Sequence, residues 1–169
     1  IFIAVDHRDI PKDAVLWLVG KISHYFFLYH QRAVFGNGDS GIIVGAPGLS
    51  TNTDRPGKVY VYFGGSSVNN VADLVITGQT NGDLFGCSVS AGDFNGDGCD
   101  DVVVGAEKNS AVATAAGKAY IYYGGKNMTN TPILTMTGEV ANDRFGHLVS
   151  CVGDVNGDGY SDIIVASPN

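Results

Sequence analysis

Short apolar stretches alternate with polar, glycine-rich stretches along residues 36–169. The apolar stretches are rich in Val, Ile and Tyr and are bounded by Gly, Asn and Asp, a pattern that predicts β-strands. In one of them, alternation places Tyr120 and Tyr122 on one face and Ile121 on the other. The best-marked unit is expected to contain strands at Cys87–Ala91, Asp101–Gly105, Lys118–Tyr123 and Ile133–Thr137. No helical period competes with them, so the pattern predicts an all-β fold.

The same succession of strands is found twice, and a third copy begins before the end of the chain. Matching residues lie 60 positions apart, such as Tyr60 and Tyr120, or Phe85 and Phe145. Repeats of this length indicate a solenoid, a propeller or an array. Four short antiparallel strands in each repeat favour the blades of a β-propeller.

We expect a partial propeller of about two and a half blades. The units are placed at about 35–78, 79–138 and 139–169, the last of them partial, after an uncertain or degenerate segment at 1–34. A closed propeller needs roughly four to eight blades. The further blades are expected to come from a longer chain or from self-association of copies.

Two acidic loops carry the candidate chemistry. Each reads Asp-x-Asn-x-Asp-Gly-x-x-Asp and leads directly into an apolar strand, at residues 93–101 and at residues 154–162. Calcium is a hard cation that takes about six to eight oxygen ligands, and alternate positions of a tight loop converge on one point. We therefore predict calcium ligands at the first, third, fifth and ninth side chains and at the seventh backbone carbonyl. These residues are Asp93, Asn95, Asp97, Cys99 and Asp101 in the first loop, and Asp154, Asn156, Asp158, Tyr160 and Asp162 in the second.

The loops have other interpretations: an EF-hand, a site for Mg²⁺ or Mn²⁺, and a metal-free turn. An EF-hand needs a bidentate Glu at its twelfth position and a helix on each side. The twelfth positions here are Val104 and Val165, inside apolar strands, so the EF-hand interpretation fails. Occupancy by Mg²⁺ or Mn²⁺, and a metal-free turn rich in Asp and Asn, stay open as alternatives. A third loop, 60 residues before the first, keeps only Asn37 and the nearby Asp39 as oxygen donors, and we expect this site to be lost.

The frame around the loops resembles the FG-GAP repeat family. Phe-Gly precedes each loop at Phe85-Gly86 and Phe145-Gly146, and Gly45-Ala46-Pro47 ends a strand of the first unit. The family occurs in integrin α chains, in glycosylphosphatidylinositol-specific phospholipase D and in bacterial surface proteins, and the Tyr-Tyr-Gly-Gly ending of a strand is most similar to the bacterial members. The resemblance implies a propeller that is seven-bladed when complete, with calcium in the loops of its lower rim.

The resemblance also implies a function. We expect an integrin α-like, calcium-binding module that acts in adhesion or ligand recognition at the cell surface or in the extracellular space, and not an enzyme. A protein or glycan ligand is expected at upper-rim loops, among them Ala46–Gly57 and Ala106–Gly117. The alternatives are a non-catalytic accessory propeller of a secreted, phospholipase D-like hydrolase, and a self-assembling propeller fragment.

Composition narrows these choices. The net charge of −7, with only 10 Lys and Arg, argues against a nucleic-acid partner. The most apolar stretch, residues 14–29, is interrupted by Lys21, so no membrane span is expected.

Three cysteines leave at least one thiol unpaired. A Cys87–Cys151 disulfide stays open, although small buried thiols, including Cys99, are favoured. His147 stands where the neighbouring repeat has Cys87, which favours equivalent strand positions over a catalytic pair.

Overall fold

The computed structural model describes residues 30–35, 40–48, 56–65 and 71–168. Within these residues the chain forms ten β-strands and no helix. The strands are β1 His30–Val34, β2 Ser40–Ala46, β3 Lys58–Tyr62, β4 Leu74–Thr77, β5 Val89–Gly92, β6 Asp101–Ala106, β7 Lys118–Tyr122, β8 Leu134–Thr137, β9 Leu148–Gly153 and β10 Asp162–Ala166. No helix of the described part is long and apolar enough to cross a membrane.

The strands form three antiparallel sheets in chain order. The first sheet has the order β1-β2-β3-β4, the second β5-β6-β7-β8, and the third pairs β9 with β10. Each four-stranded sheet is a meander in which every strand pairs with the next one in sequence. The chain is therefore all-β, as the pattern predicted, and the sheets are consistent with a partial β-propeller.

Strand ends differ slightly from those expected. The strand predicted at Cys87–Ala91 begins at Val89, because the N–H of Cys87 donates to the Leu84 carbonyl in a turn.

In the third sheet the register shifts between Asp162 and Ile163, since Gly153 pairs with Asp162 and Cys151 pairs with Ile163. Val152, the residue between them, is the extra residue that makes the second acidic loop lie 61 positions after the first. It forms a β-bulge.

The first sheet includes a strand from the segment predicted to be uncertain. The backbone of β1 pairs with β2 from His30 opposite Val44 to Val34 opposite Ser40. The predicted lost site around Asn37 and Asp39 lies outside the described residues, as does the apolar stretch at 14–29.

Side chains of alternate strand positions fill two cores. Val102 and Val104 of β6 pack toward the first sheet in a cluster with Ile43 and Val59. Val103, between them, packs toward the third sheet with Val149. Tyr120 and Tyr122 are buried in the first of these clusters, whereas Tyr123 is exposed. Burying each large apolar side chain contributes about 1.5–3 kcal/mol, so packing between sheets stabilises the whole stack.

The glycines of the repeated frame mark places where the sheets touch closely. A Cβ on Gly105 would collide with the backbone carbonyl of Gly146, and a Cβ on Gly45 would collide with that of Gly86. Gly86 and Gly146 themselves have φ of 86° and 83°, a conformation that favours glycine. The Phe-Gly and Gly-Ala parts of the frame are therefore two sides of one contact between adjacent sheets.

Hydroxyl groups also join the second and third sheets. Ser88 Oγ accepts a hydrogen bond from the Val149 N–H at 3.0 Å and lies 3.4 Å from the Val149 carbonyl oxygen, to which it donates. Ser90 Oγ accepts from the Cys151 N–H at 2.8 Å. These bonds satisfy backbone groups of β9 and fix the position of β9 along β5. The two acidic loops, which follow β5 and β9, are thereby held side by side.

Candidate metal loops

The two acidic loops occupy equivalent places in their sheets. Residues 93–101 connect β5 to β6, and residues 154–162 connect β9 to β10. All ten residues that the sequence predicts as ligands lie in the described part of the chain, on these two hairpin connections. The structure therefore places five of them on each of two separate hairpin connections.

The first Asp of each loop organises the turn. Asp93 Oδ1 accepts hydrogen bonds from the N–H groups of Gly96 at 2.7 Å and Asp97 at 3.1 Å, and Oδ2 accepts from Gly98 at 2.9 Å. In the second loop, Asp154 accepts from the corresponding three N–H groups at 2.7, 3.1 and 2.9 Å. Each aspartate thus closes the loop around its own carboxylate.

The middle of each loop is held by its Asn and its second Asp. Asn95 Oδ1 accepts from the Asp97 N–H at 2.8 Å, and its Nδ2 donates to Asp97 Oδ2 at 3.0 Å. Asp97 Oδ1 accepts from the Cys99 N–H at 2.8 Å. The same three bonds join Asn156, Asp158 and the Tyr160 N–H, each at 2.9 Å.

Glycines allow these turns because the backbone enters the left-handed region. Gly96 and Gly98 have φ of 76° and 81°, and Gly157 and Gly159 have φ of 80° and 91°. A residue with a Cβ is strained there. The glycine that follows the second Asp is therefore required by the local geometry, whether or not a cation is bound.

The closing aspartates differ between the loops. Asp101 is fully buried, and it accepts hydrogen bonds from the Phe94 N–H at 3.0 Å and the Gly124 N–H at 2.8 Å. Its burial raises the pKa to about 6. Asp162 is half-buried and accepts from the Val155 N–H at 2.8 Å. The first loop is thus anchored to β7 through Gly124, which follows that strand.

Other carboxylates of the loops are held in the ionised form. The Cys99 N–H and the Asn95 side chain keep the pKa of Asp97 below its usual value. The N–H groups of Gly159, Gly157 and Asp158 do the same for the pKa of Asp154. Hydrogen bonds to a charged carboxylate favour that charged form. These groups are therefore available as anionic oxygen donors at neutral pH.

The donor set fits a hard divalent cation. Each loop offers carboxylate, amide and backbone carbonyl oxygens, with no competing soft ligand required, and this is the ligand chemistry of calcium. A carboxylate offers about four lone-pair sites, so N–H bonds leave capacity for a cation. Within the described residues, however, no three His, Cys, Asp or Glu side chains meet in a metal-binding group. The carboxylates point at backbone N–H groups instead, and the assignment of ligands stays a prediction.

The two loops also contact each other, which the sequence did not indicate. The Ser161 N–H donates to the Asp93 carbonyl at 2.8 Å. The Tyr160 ring lies against Gly96, so that a Cβ on Gly96 would stand 2.8 Å from Cε1. The only sequence signal for this contact is a glycine in the fourth position, and that glycine also serves the turn of its own loop.

None of the three cysteines, all of which lie in the described residues, forms a disulfide, so Cys87 and Cys151 are not bridged. The Cys87 thiol donates to the Gly146 carbonyl at 3.4 Å, and burial raises its pKa to about 12. His147 Nδ1 pairs with Glu107 Oε2 at 2.7 Å. A protonated thiol is a poor nucleophile, so this group of side chains is better explained as a contact between sheets than as a catalytic pair.

The connection 107–117, between β6 and β7, is one of the loops predicted to meet a ligand. On one side, buried Asn109 donates to the carboxylate of buried Asp83, whose pKa is raised by burial. On the other side, three backbone hydrogen bonds join residues 142–145 to the carbonyls of residues 114–116. The connection is thus held by Asp83 of its own repeat and by residues 142–145 of the following repeat.

Comparisons with known proteins match the same repeats. The family model described as "FG-GAP repeat" matches residues 85–122 and 149–169. The chain is 33% identical over 120 residues to Integrin alpha-5 of Xenopus laevis, covering 66% of this chain and 11% of that protein. It is 32% identical over 149 residues to Phosphatidylinositol-glycan-specific phospholipase D of Homo sapiens, covering 79% of this chain and 17% of that protein.

A third relative, Integrin alpha-8 of Gallus gallus, is 30% identical over 142 residues, covering 79% of this chain and 13% of that protein. The chain therefore spans only a small part of the length of each of these relatives.

Proposed function

Because this chain belongs to the FG-GAP repeat family, we propose that it is a calcium-binding propeller module for adhesion or ligand recognition in the extracellular space or at the cell surface. Its four-stranded sheets and its similarity to integrins and to a phospholipase D support the propeller module. Calcium, adhesion and location are the parts that this proposal adds. We also propose units at about 35–78, 79–138 and 139–169.

One observation carries the calcium proposal. Seven hydrogen bonds of the first loop have counterparts in the second, made by residues of the same type or at the same backbone position. Both networks concentrate anionic oxygens on an exposed connection, where their mutual repulsion favours a bound cation. The proposed ligands are those that the sequence predicted, and a cation would offset part of the net charge of −7.

Calcium would act as a structural ion. A ligand that binds only the folded state stabilises it by mass action, by about 2.7 kcal/mol when its concentration is a hundred times Kd. The ion would stiffen the two hairpins on which the sheets of the module are built. Recognition itself would occur on connections such as 107–117, which is held by its own repeat and by the following one. Structural stabilisation and recognition require no catalytic group, and we propose that the module is not an enzyme.

Thermal unfolding tests the calcium proposal. With millimolar calcium, we expect the midpoint to lie about 5–10 °C above that in EDTA for a chain of this size. The double variant Asp97→Ala/Asp158→Ala should lose this difference, since each change removes an anionic donor from one loop. Asp100→Asn, in the same loop at a position not predicted to bind, is the control and should keep it. A wild-type midpoint that is equal in both buffers would contradict the proposal.

A second candidate function has its own support. Phosphatidylinositol-glycan-specific phospholipase D of several mammals matches 79% of this chain, the same share that Integrin alpha-8 matches. An accessory propeller of a secreted hydrolase would use the same calcium-stabilised scaffold. The full-length gene distinguishes the two, because this second function requires a catalytic domain on the same chain.

Exposed apolar side chains of the third sheet indicate where a partner would bind. The exposed side chains of the third sheet include Leu148 and Ile164, which correspond to Ser88 and Val103 of the second sheet. Their counterparts in the second sheet pack against the third, so we propose that a further blade covers them. That blade comes from the same longer chain or from another copy. Mass measurement in native buffer distinguishes these sources, because self-association requires a mass above that of the monomer.

A further inference from the structure

The contact between the two acidic loops joins residues with different roles. Ser161 and Tyr160 are the eighth and seventh residues of the second loop, and they touch the first and fourth residues of the first loop. The Ser161 N–H donates to the Asp93 carbonyl at 2.8 Å. The Tyr160 ring covers Gly96, and a Cβ there would stand 2.8 Å from Cε1 and 3.2 Å from Cδ1. Residues of one repeat thus support the turn of the other.

The supported residue is central to the first loop. The N–H of Gly96 donates to Asp93 Oδ1 at 2.7 Å, so its position sets where that carboxylate points. The matching glycine of the second loop, Gly157, has no atom within 4 Å of its Cβ position. The second loop therefore makes its turn without such a cover among the described residues. Among the described residues, the second loop supports the first in this way.

We propose that Tyr160 is a positioning residue for the first loop and that it couples cation binding in the two loops. This inference rests on the proposed calcium function. The backbone carbonyl of Tyr160 is a predicted ligand of the second loop, whereas its ring packs on the first. Coordination of its carbonyl would fix the backbone at Tyr160, and the ring and the neighbouring Ser161 N–H would then hold the Gly96 turn of the first loop in the position that the structure shows.

The expected coupling is modest. Coupling between sites typically changes affinity by about 5- to 150-fold, and each site affects the other by the same factor. The Tyr160 side chain is about half exposed, and the contact has one hydrogen bond, so the lower end of that range applies. We expect the first loop to bind calcium about fivefold more tightly when the second loop is loaded.

Calcium titration followed by amide NMR tests the coupling loop by loop. The amide signals of Gly98 and Gly159 report on the first and second loops, since both N–H groups donate to the first Asp of their own loop. In Asp158→Ala, which disables the second loop, the Kd of the first should rise about fivefold. Tyr160→Ala should produce the same rise while the second loop still binds, because its backbone carbonyl is retained. The double variant should show no larger rise than either single variant.

Two variants distinguish positioning from general damage. Tyr160→Phe keeps the ring and should bind like the wild type. Val155→Ala removes an exposed side chain of the same loop and should also leave the first loop unchanged. A first-loop Kd that is unaltered in Tyr160→Ala, with both loops binding calcium, would overturn the coupling alone. A wild type that binds no calcium would overturn the coupling and the proposed function together.

Discussion

The two acidic loops have the same internal hydrogen bonds but different surroundings. Both close around their first Asp with matching distances. Asp101 is fully buried, whereas Asp162 is only half-buried. At the second position, Phe94 is half-buried and packs against a core, but Val155 is 72% exposed. The comparison teaches that nine residues are enough to build the turn, whereas its burial depends on neighbours far away in sequence.

The difference has a clear structural origin. Asp101 receives its second hydrogen bond from Gly124, which lies 23 residues later and follows β7. The first loop is covered from the other side by Tyr160 and Ser161 of the next repeat. Within residues 148–168, the third sheet consists of the two strands β9 and β10. Within the described residues, the first loop therefore shows how neighbouring strands and loops support such a turn.

The largest expected effect is a difference in the free energy of unfolding between variants of the two closing aspartates, Asp101 and Asp162. Asp101→Ala leaves the N–H groups of Phe94 and Gly124 without their acceptor in a partly buried place, at a cost of about 1–3 kcal/mol for each group. Asp162→Ala removes one bond in a more exposed place and should cost about 1 kcal/mol. Urea unfolding in EDTA measures both free energies without any contribution from calcium. Equal losses for the two variants would show that the surroundings of the loops do not matter.

A smaller effect should be equal in the two loops. Gly98→Ala and Gly159→Ala each force a residue with a Cβ into φ of 81° or 91°. Neither glycine has an atom within 4 Å of its Cβ position, so the cost is conformational and is about 1–2 kcal/mol in both variants. The same urea experiment gives the two values. A difference of more than about twofold between them would mean that the loops are not locally equivalent.

The smallest effect concerns reactivity at the boundary between the second and third sheets. Cys87 donates to Gly146 across that boundary, and burial raises its pKa to about 12. The native thiol therefore stays protonated at pH 9, where an unfolded cysteine is largely ionised. In a variant with Cys99→Ser and Cys151→Ser, we expect iodoacetamide to react at least about tenfold more slowly with native than with unfolded protein. Equal rates in both states would place Cys87 outside the boundary.

Much of the fold could be predicted because its signals are short in range. The strands alternate or form apolar runs, and the acidic loops bring their donors together within nine residues. The repeat of 60 residues added the order of strands in each sheet. The start of β5 was missed by two residues, because the turn bond from Cys87 to Leu84 competes with the strand there. The ligand assignments and the unit boundaries stay predictions.

The sequence by itself determined the loops, the strands and the all-β fold, since these depend on the residue types within one turn or one strand. Only the tertiary structure decided that Asp101 is buried, that Glu107 pairs with His147, and that Tyr160 covers Gly96. These contacts join residues that are 23, 40 and 64 positions apart. The pairing of β6 with β7 brings the first pair together, and the packing of one sheet on the next brings together the other two. No periodicity within a single repeat encodes which side chains will meet across the boundary between sheets.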